Sequence, residues 1–498
     1  MTSLDPVVVA PEALPGEYAA LLADGARLAV VTGHDDGGVM RVVHTFLTPG
    51  REAHELAVNV PMEADGIPTL AGLSYAAGRF EREMRDLFGL VPLGHPLPRR
   101  LVRHAHWPTG YHPLRRNAVT PTTFDDDTGS FPFLEVTGDG VYEIPVGPVH
   151  AGMIEPGHFR FSVVGETILR MKARLWFVHR GVEGLFEGKA PTEGIELAER
   201  ISGDTAVGHS LAYVQAVEQA LGVTCSRSDL VARAMLLELE RLYNHVGDIG
   251  AMVNDVGYGI INAQTGVLRE RLLRHNKTVT GHRLLRGAIG IGATRLRALP
   301  DVSLVASTAA ELADIVAIAL GNRVVVDRFT ATSILSTEKA RELGTLGYVA
   351  KASGVAVDAR ADHPFVALGD GFSPEVESGG DVMARFMVRV REAQQSAALV
   401  ADLAARIQGS SVTGVADDAV APAGVVGGTG AGLGVVEAWR GTLVHRVEIR
   451  SGVVTRCKVV DPSFFNWPAL PVALQDTIVP DFPLTNKSFG QSYAGNDL

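Results

Sequence analysis

Apolar residues recur three or four positions apart over 210–221, 228–247, 265–280, 303–320 and 382–408, a spacing that lines one helical face and predicts five amphipathic helices. Elsewhere the period changes. Short β-branched runs at 27–32 and 56–60 alternate with helical patterns over roughly the first 115 residues and predict a small α+β domain. Within it, 78–89 (GRFEREMRDLFG) puts Phe80, Met84, Leu87 and Phe88 on one helical face and charges on the other, with Gly89 placed to end the helix. Residues 157–164 and 166–171 read as a strand pair joined at Gly165, and 434–460 as a strand-rich segment ahead of a proline-rich tail. The stretch 117–130, with the threonine-rich TPTTFDDDTGS, has no period. The chain therefore divides into an N-terminal domain over 1–118, a linker over 119–140 and a larger domain over 141–498, and the expected class is α+β.

Composition then narrows the function classes. The chain has 498 residues, 46% of them hydrophobic, enough for a sizeable buried core and against a disordered or fibrous protein. A formal charge of −11 argues against a partner such as nucleic acid, whose phosphates demand a basic surface. Two cysteines, Cys225 and Cys457, supply neither a disulfide framework nor a four-thiolate site and point to a reducing compartment. The N-terminus lacks the basic region and apolar core of a signal peptide, and no segment reads as transmembrane. Basic residues concentrate locally in GHPLPRRL and WPTGYHPLRRN, which hold Arg99, Arg100, Arg115 and Arg116, with Arg103 between them. Such a segment is either an extended arm docked on a neighbouring surface or a clamp for an acidic partner.

Common catalytic signatures are missing: there is no CxxC, HExxH, Walker-A or GxSxG sequence. The glycine run 428–434 departs from GxGxxG, so nicotinamide binding by this chain is unsupported and a flexible hairpin is expected. Polar chemistry gathers instead in 147–161, 198–213 and 481–498, where His150, Glu155, His158, Glu199, Arg200, Asp204, His209 and Asp497 would line one cavity if the fold joins these segments. Taken singly, each histidine reads equally as a satisfied structural residue.

The stretch EREMRDLFGLVPLGHPLPRRL resembles the 30 kDa-type subunit of respiratory complex I. GPVHAGMIEPGHFRF, FVHRGVEGLFEGK and ELAERISGDTAVGHSLAY resemble the large subunit of membrane-bound group 4 nickel–iron hydrogenases, a relative of the complex I 49 kDa-type subunit. LLELERLYNHVGDIG, TGHRLLRGAIG, KASGVAVDARADHPF, VVEAWRGTLVHRVEIR and NWPAL extend the likeness over almost the whole chain, in the order of the fused subunits of formate hydrogenlyase and hydrogenase-4. The resemblance implies a small α+β domain followed by a mainly helical hydrogenase-like domain with small sheets.

It also implies where a nickel–iron pair would sit, because such enzymes hold the metals on two CxxC pairs whose soft thiolates suit them. Here Ser202 and Thr205 occupy the first pair of positions, Ser492 and Gly495 the second. Hydroxyls that stay protonated and a glycine are no substitute for thiolates, so no metal is expected in this chain. In complex I the degenerate site became the head of a quinone cavity, and the resemblance places His158 at its quinone-contacting histidine, while Gly203 stands where the complex I tyrosine belongs. His158 with Asp204 would form a quinone and proton relay, with Glu155 and His209 lining the cavity; alternatively His158 closes the strand hairpin and Asp204 pairs with Arg200. The implied partners are a small iron–sulfur subunit with a 4Fe-4S cluster and antiporter-like and quinone-chamber-type membrane subunits, with any NAD bound by other subunits. The implied place is the cytoplasmic side of the membrane, peripherally attached. A redox subunit passing electrons to a quinone-like acceptor with coupled ion movement and a redox-inactive structural or coupling subunit both follow; an active hydrogenase does not.

Overall fold

The computed structural model describes residues 4–121, 123–124, 131–150, 154–369, 371–407 and 427–498. The 117–130 loop, the 147–161 stretch and the 382–408 helix thus each lie partly outside the described residues.

The N-terminal part is a four-stranded sheet in which Arg27–Asp35, Val39–Leu47 and His54–Pro61 run antiparallel and Val7–Val8 pairs parallel at the edge. The helix Tyr75–Phe88 packs on it. Ser74 caps its start by accepting from Ala77 N, and Gly89 ends it at φ 75°, a left-handed turn that glycine enters without a Cβ penalty. The predicted apolar face is in the core. The charged face is not in water, however: Arg79, Glu81, Arg82 and Asp86 are all buried. Asp86 Oδ2 accepts from the backbone N–H of Leu101, Val102 and Arg103, while Arg82 donates to the carbonyls of Arg99 and Arg100. Arg174 reaches the carbonyls of 101–103 from the other side. The basic arm is docked on this molecule through its backbone, which its composition left open.

A three-stranded antiparallel sheet follows: Val141–Val146, His158–Val164 and Thr167–Arg174. Val146 faces Phe159 across the first pair, so His158 stands at the end of that ladder. The five long helices are Ala206–Leu221, Arg227–Asn254, Gly259–Thr280, Val302–Leu320 and Val382–Ile407; the first four contain their predicted spans, and the last follows its predicted span to the end of the described residues there. The hairpin pair Gly430–Ala438 and Gly441–Arg450, completed by Val453–Val460, packs on Ala206–Leu221. A Cβ on Gly432 would overlap Ala216 O, and one on Gly434 would overlap Ala212 O. Those glycines let strand and helix backbones meet, which corrects the expectation of a flexible hairpin.

One hydrophobic cluster joins the long helices to the late sheet. A second runs from the N-terminal sheet through the 158–174 strands to 464–493, so the core crosses the linker between the two sequence regions. Buried charge crosses it too: Arg446 binds Glu55 through Nε at 2.9 Å and Nη2 at 3.0 Å, and Lys458 bridges Glu83 and Glu183. The helix Val302–Leu320, mean hydropathy 1.7, is long and apolar enough to cross a membrane by length and composition alone. Here it packs along Val382–Ile407 and Gly259–Thr280.

Candidate functional site

The turn 199–205 joins helix Pro191–Ala198 to helix Ala206–Leu221, and the buried carboxylate of Glu240 fixes the start of the second helix by accepting from Val207 N at 2.7 Å and Gly208 N at 3.0 Å. Burial pushes the Glu240 carboxyl up to about 8, against the pull of those two N–H groups. Ser202, Asp204 and Thr205 are thereby held in one place. From the other end of the chain, Ser492 caps the short helix Tyr493–Asp497 by accepting from Gly495 N, and its own N–H donates to Ser463 Oγ.

These two segments meet. Ser202 Oγ lies 2.9 Å from Ser492 Oγ, and Thr205 Oγ1 donates to Asp204 and accepts from Trp439 Nε1 at 3.1 Å. At the fourth position a Cβ on Gly495 would fall 2.6 Å from the Asp461 carboxyl carbon, so that space is already filled. The residues present do not fit a nickel–iron pair. The oxygens are engaged with one another, no side chain exists at 495, and both cysteines lie elsewhere in the sequence and the fold. Cys457 is buried in strand Val453–Val460 and its thiol is pushed well up by burial; Cys225 is raised to about 11 for the same reason.

Arg440 occupies the middle of the cluster. Its guanidinium stacks on Trp439, 4.0 Å from the ring centroid, donates to Gly490 O, and binds Asp204 with both Nη atoms at 2.7 Å. Burial opposes the charge on Asp204, but Arg440 and the hydroxyls of Ser202 and Thr205 outweigh it and hold the carboxyl down at about 2. Asp204 is therefore a permanent anion clamped to Arg440 rather than to Arg200, whose ion-pair partner is Glu196. Sequence reasoning missed Arg440 within EAWRG. The signal was there in a cation set beside tryptophan at the turn between two largely apolar strands.

His158 is partly buried, its Nδ1 3.0 Å from Gly147 O and its ring beside Phe133. No described contact joins it to Asp204, so the expected relay between the two does not follow from this arrangement. A neutral His158 that donates from Nδ1 to Gly147 presents only a lone pair at Nε2, and it donates outward only as imidazolium. Glu155 is exposed, not enclosed, and accepts from Ala494 N at 3.1 Å, tying the residues just ahead of His158 to the C-terminal helix. His209 is fully buried between His445 (3.1 Å) and Asp461 (3.3 Å), and burial, with His209 as a neighbour, depresses His445. His150 binds Gly157 O, and Glu199 accepts from Gly287 N.

Beside the cluster is a cavity of about 490 Å³ that the sequence did not reveal, lined among others by Trp107, Tyr111, Trp176, His179, Arg180 and Asp497. It lies between the basic arm and the C-terminal helix. Burial lifts the Asp497 carboxyl to about 6, though it accepts from Asn496 and Val178 N. Arg180 donates to the carbonyls of Arg200 and Ile201, so this wall is continuous with the turn that carries Ser202.

Comparison with known proteins fits this geometry to a lineage. Residues 7–123 match the family of the respiratory-chain NADH dehydrogenase 30 Kd subunit and residues 255–497 that of the 49 Kd subunit. Hydrogenase-4 component G of Escherichia coli is 31% identical over 494 residues, covering 94% of this chain and 83% of that protein. This chain belongs to the fused 30 kDa/49 kDa family of complex I-like, group 4 hydrogenase-related subunits. Formate hydrogenlyase subunit 5 of E. coli is also 31% identical, covering 95% and 85% of the two chains, and the NADH-quinone oxidoreductase C/D subunit of Phocaeicola vulgatus is 28% identical, covering 76% and 77%. The fold recurs in a chain of the membrane-bound sulfane sulfur reductase, an archaeal respiratory membrane complex, with TM-score 0.65 and 22% identity over 73% of this chain and all of that one. As a member of the family, this protein is a subunit of a complex I-like membrane complex.

Proposed function

We propose that this subunit passes electrons from an iron–sulfur partner to a quinone-like acceptor within a membrane-attached assembly whose antiporter-like subunits couple the step to ion movement, and that it is not itself a hydrogenase. The observation that supports the reading is the oxygen-and-arginine cluster at Ser202, Thr205, Ser492 and Arg440, whose hydroxyls are engaged with one another and with Asp204 and offer no thiolates for a metal pair. The open cavity beside the C-terminal helix is read as the face toward the iron–sulfur partner. His158 is the acceptor-side residue of this reading. It stands at the end of a strand ladder with Nε2 free of any described partner, and as imidazolium it supplies a proton to a reduced headgroup.

A redox-inactive coupling subunit is the second reading, favoured by the glycine at 203 and by the clamped Asp204. Affinity purification of the tagged chain from detergent-solubilised membranes, with His158→Ala in parallel, tests both. Recovery with an iron–sulfur subunit and multispanning subunits, together with quinone reduction lost in the variant, is expected. Unaltered quinone reduction in His158→Ala overturns the assignment of that residue, and a chain recovered alone overturns the assembly.

A further inference from the structure

Behind the Arg440 clamp lies a second polar cluster, sealed from solvent. Lys351, on the short helix Gly347–Ala352, is 1% exposed and faces three carboxylates: Asp358 at 3.0 Å, Glu392 in a short contact, and Glu437 Oε1 at 3.7 Å. Arg360 binds Asp358 through Nε and Nη2 and Glu238 through Nη1, while Arg241 and Ser396 Oγ also reach Glu238. Glu392 Oε2 accepts from His245 Nε2 at 2.7 Å.

The charges do not balance. Glu238, Asp358, Glu392 and Glu437 make four carboxylates against three cations, Lys351, Arg241 and Arg360, and burial keeps His245 neutral. Arg27 and Asp362 approach from outside as an opposed pair and leave the sum unchanged. One anion is in excess in a buried space, where solvent screens it little. Glu437 is the carboxylate least compensated. Its Oε2 accepts from Thr442 Oγ1 and Ala359 N, neither of them charged, and its Oε1 has no hydrogen-bond partner. Glu437 borders a slot of about 20 Å³, room for one water, whose lining also includes Arg360, Phe365 and the exposed Pro364.

We propose that this cluster is a buried proton-binding site, holding one exchangeable proton on Glu437 Oε1 that enters and leaves through the water-sized slot beside Arg360. Protonation cancels the surplus charge and turns the unpartnered oxygen into a hydroxyl donor toward the slot; release returns the anion, steadied by Lys351. No bond other than O–H forms or breaks. Burial, with Asp358 adding to it and Lys351 and Arg241 opposing, lifts the Glu437 carboxyl to about 7, so occupancy changes near neutrality. Glu437 is also two residues from Trp439 and three from Arg440 on one turn of chain, so charge at the Asp204–Arg440 clamp acts on the proton. That last link rests on the redox reading above; the occupancy does not.

The test is infrared difference spectroscopy of the purified full chain between about pH 5 and about pH 9, in H2O and D2O. The expected result is a protonated-carboxyl C=O band that shifts in D2O, disappears with a midpoint near 7 and is absent in Glu437→Gln. No titrating band, or one that survives in Glu437→Gln, overturns the proposal. Because glutamine mimics the protonated form, Glu437→Gln is expected to fold and to match wild type at low pH while exceeding it in Tm at high pH. A variant less stable than wild type at both overturns it as well. Asp204→Asn is expected to move the band's midpoint, and an unchanged midpoint overturns the link to the clamp alone.

Discussion

Replacing Asp204 by asparagine removes the anion from the clamp and keeps its shape. Wild-type Asp204 receives two 2.7 Å bonds from Arg440 and the hydroxyls of Ser202 and Thr205, and its carboxyl falls from an ordinary 3.8 to about 2. That shift corresponds to roughly 2.4 kcal/mol at full weight. The side chain is 35% exposed, so solvent screening cuts this to about 1–2 kcal/mol. A depressed carboxyl stabilises the fold above its unfolded value and loses that contribution as pH falls through 3.8 toward 2, so the loss in Asp204→Asn is full at neutral pH and vanishes in acid. At about 2 cal/mol/K per residue the unfolding entropy of this chain is on the order of 1 kcal/mol/K, which makes the loss a Tm drop of about 1–2 °C. Guanidinium titration at pH 7, fitted with a common slope, resolves it better than melting does. Equal stability of wild type and variant at neutral pH, or a deficit that persists undiminished at the acid limit, refutes the clamp as drawn.

Gly434→Ala forces a methyl group onto Ala212 O and is expected to cost about 1–3 kcal/mol in chemical unfolding, with no local relief because helix and strand are both backbone there. Arg446→Met strands Glu55 in the interior and is expected to cost about 3–5 kcal/mol; adding Glu55→Gln recovers part of that, and a double-mutant cycle showing no coupling contradicts the ion pair. Asp497, raised by burial to about 6, binds its proton more tightly folded than unfolded, so wild-type stability falls more steeply than that of Asp497→Asn as pH climbs from about 4 to 6. Parallel pH-stability curves for the two proteins contradict that shift.

Much of the fold was legible because burial sets the period of apolar residues: all five long helices, the strand pair joined at Gly165 and the left-handed stop at Gly89 follow from spacing and glycine placement. What spacing does not carry is the identity of the surface a polar residue meets. The charged face of Tyr75–Phe88 has the pattern of a solvated helix, yet Asp86 and Arg82 serve backbone groups of an arm that returns to them. Gly432 and Gly434 look like freedom in sequence and are close approach in three dimensions. At the site, the resemblance located Ser202, Thr205, Ser492 and Gly495, and the first three do meet in one hydrogen-bonded cluster. It missed Arg440, because the cation beside Trp439 marks a site locally but nothing in the sequence names Asp204, more than 200 residues away, as its partner. His209 and Glu155 were misplaced for the opposite reason. Polar residues near a motif read as cavity lining, whereas one is sealed against Asp461 and His445 and the other faces solvent.

The central claim is that electrons leave this subunit for a quinone-like acceptor and not for protons. Its most direct test is to assay the intact purified complex for hydrogen-dependent dye reduction and for quinone-analogue reduction in the same preparation, with nickel quantified alongside. Quinone reduction without hydrogen uptake, and nickel far below one per chain, is the predicted result. Hydrogen uptake with stoichiometric nickel contradicts it.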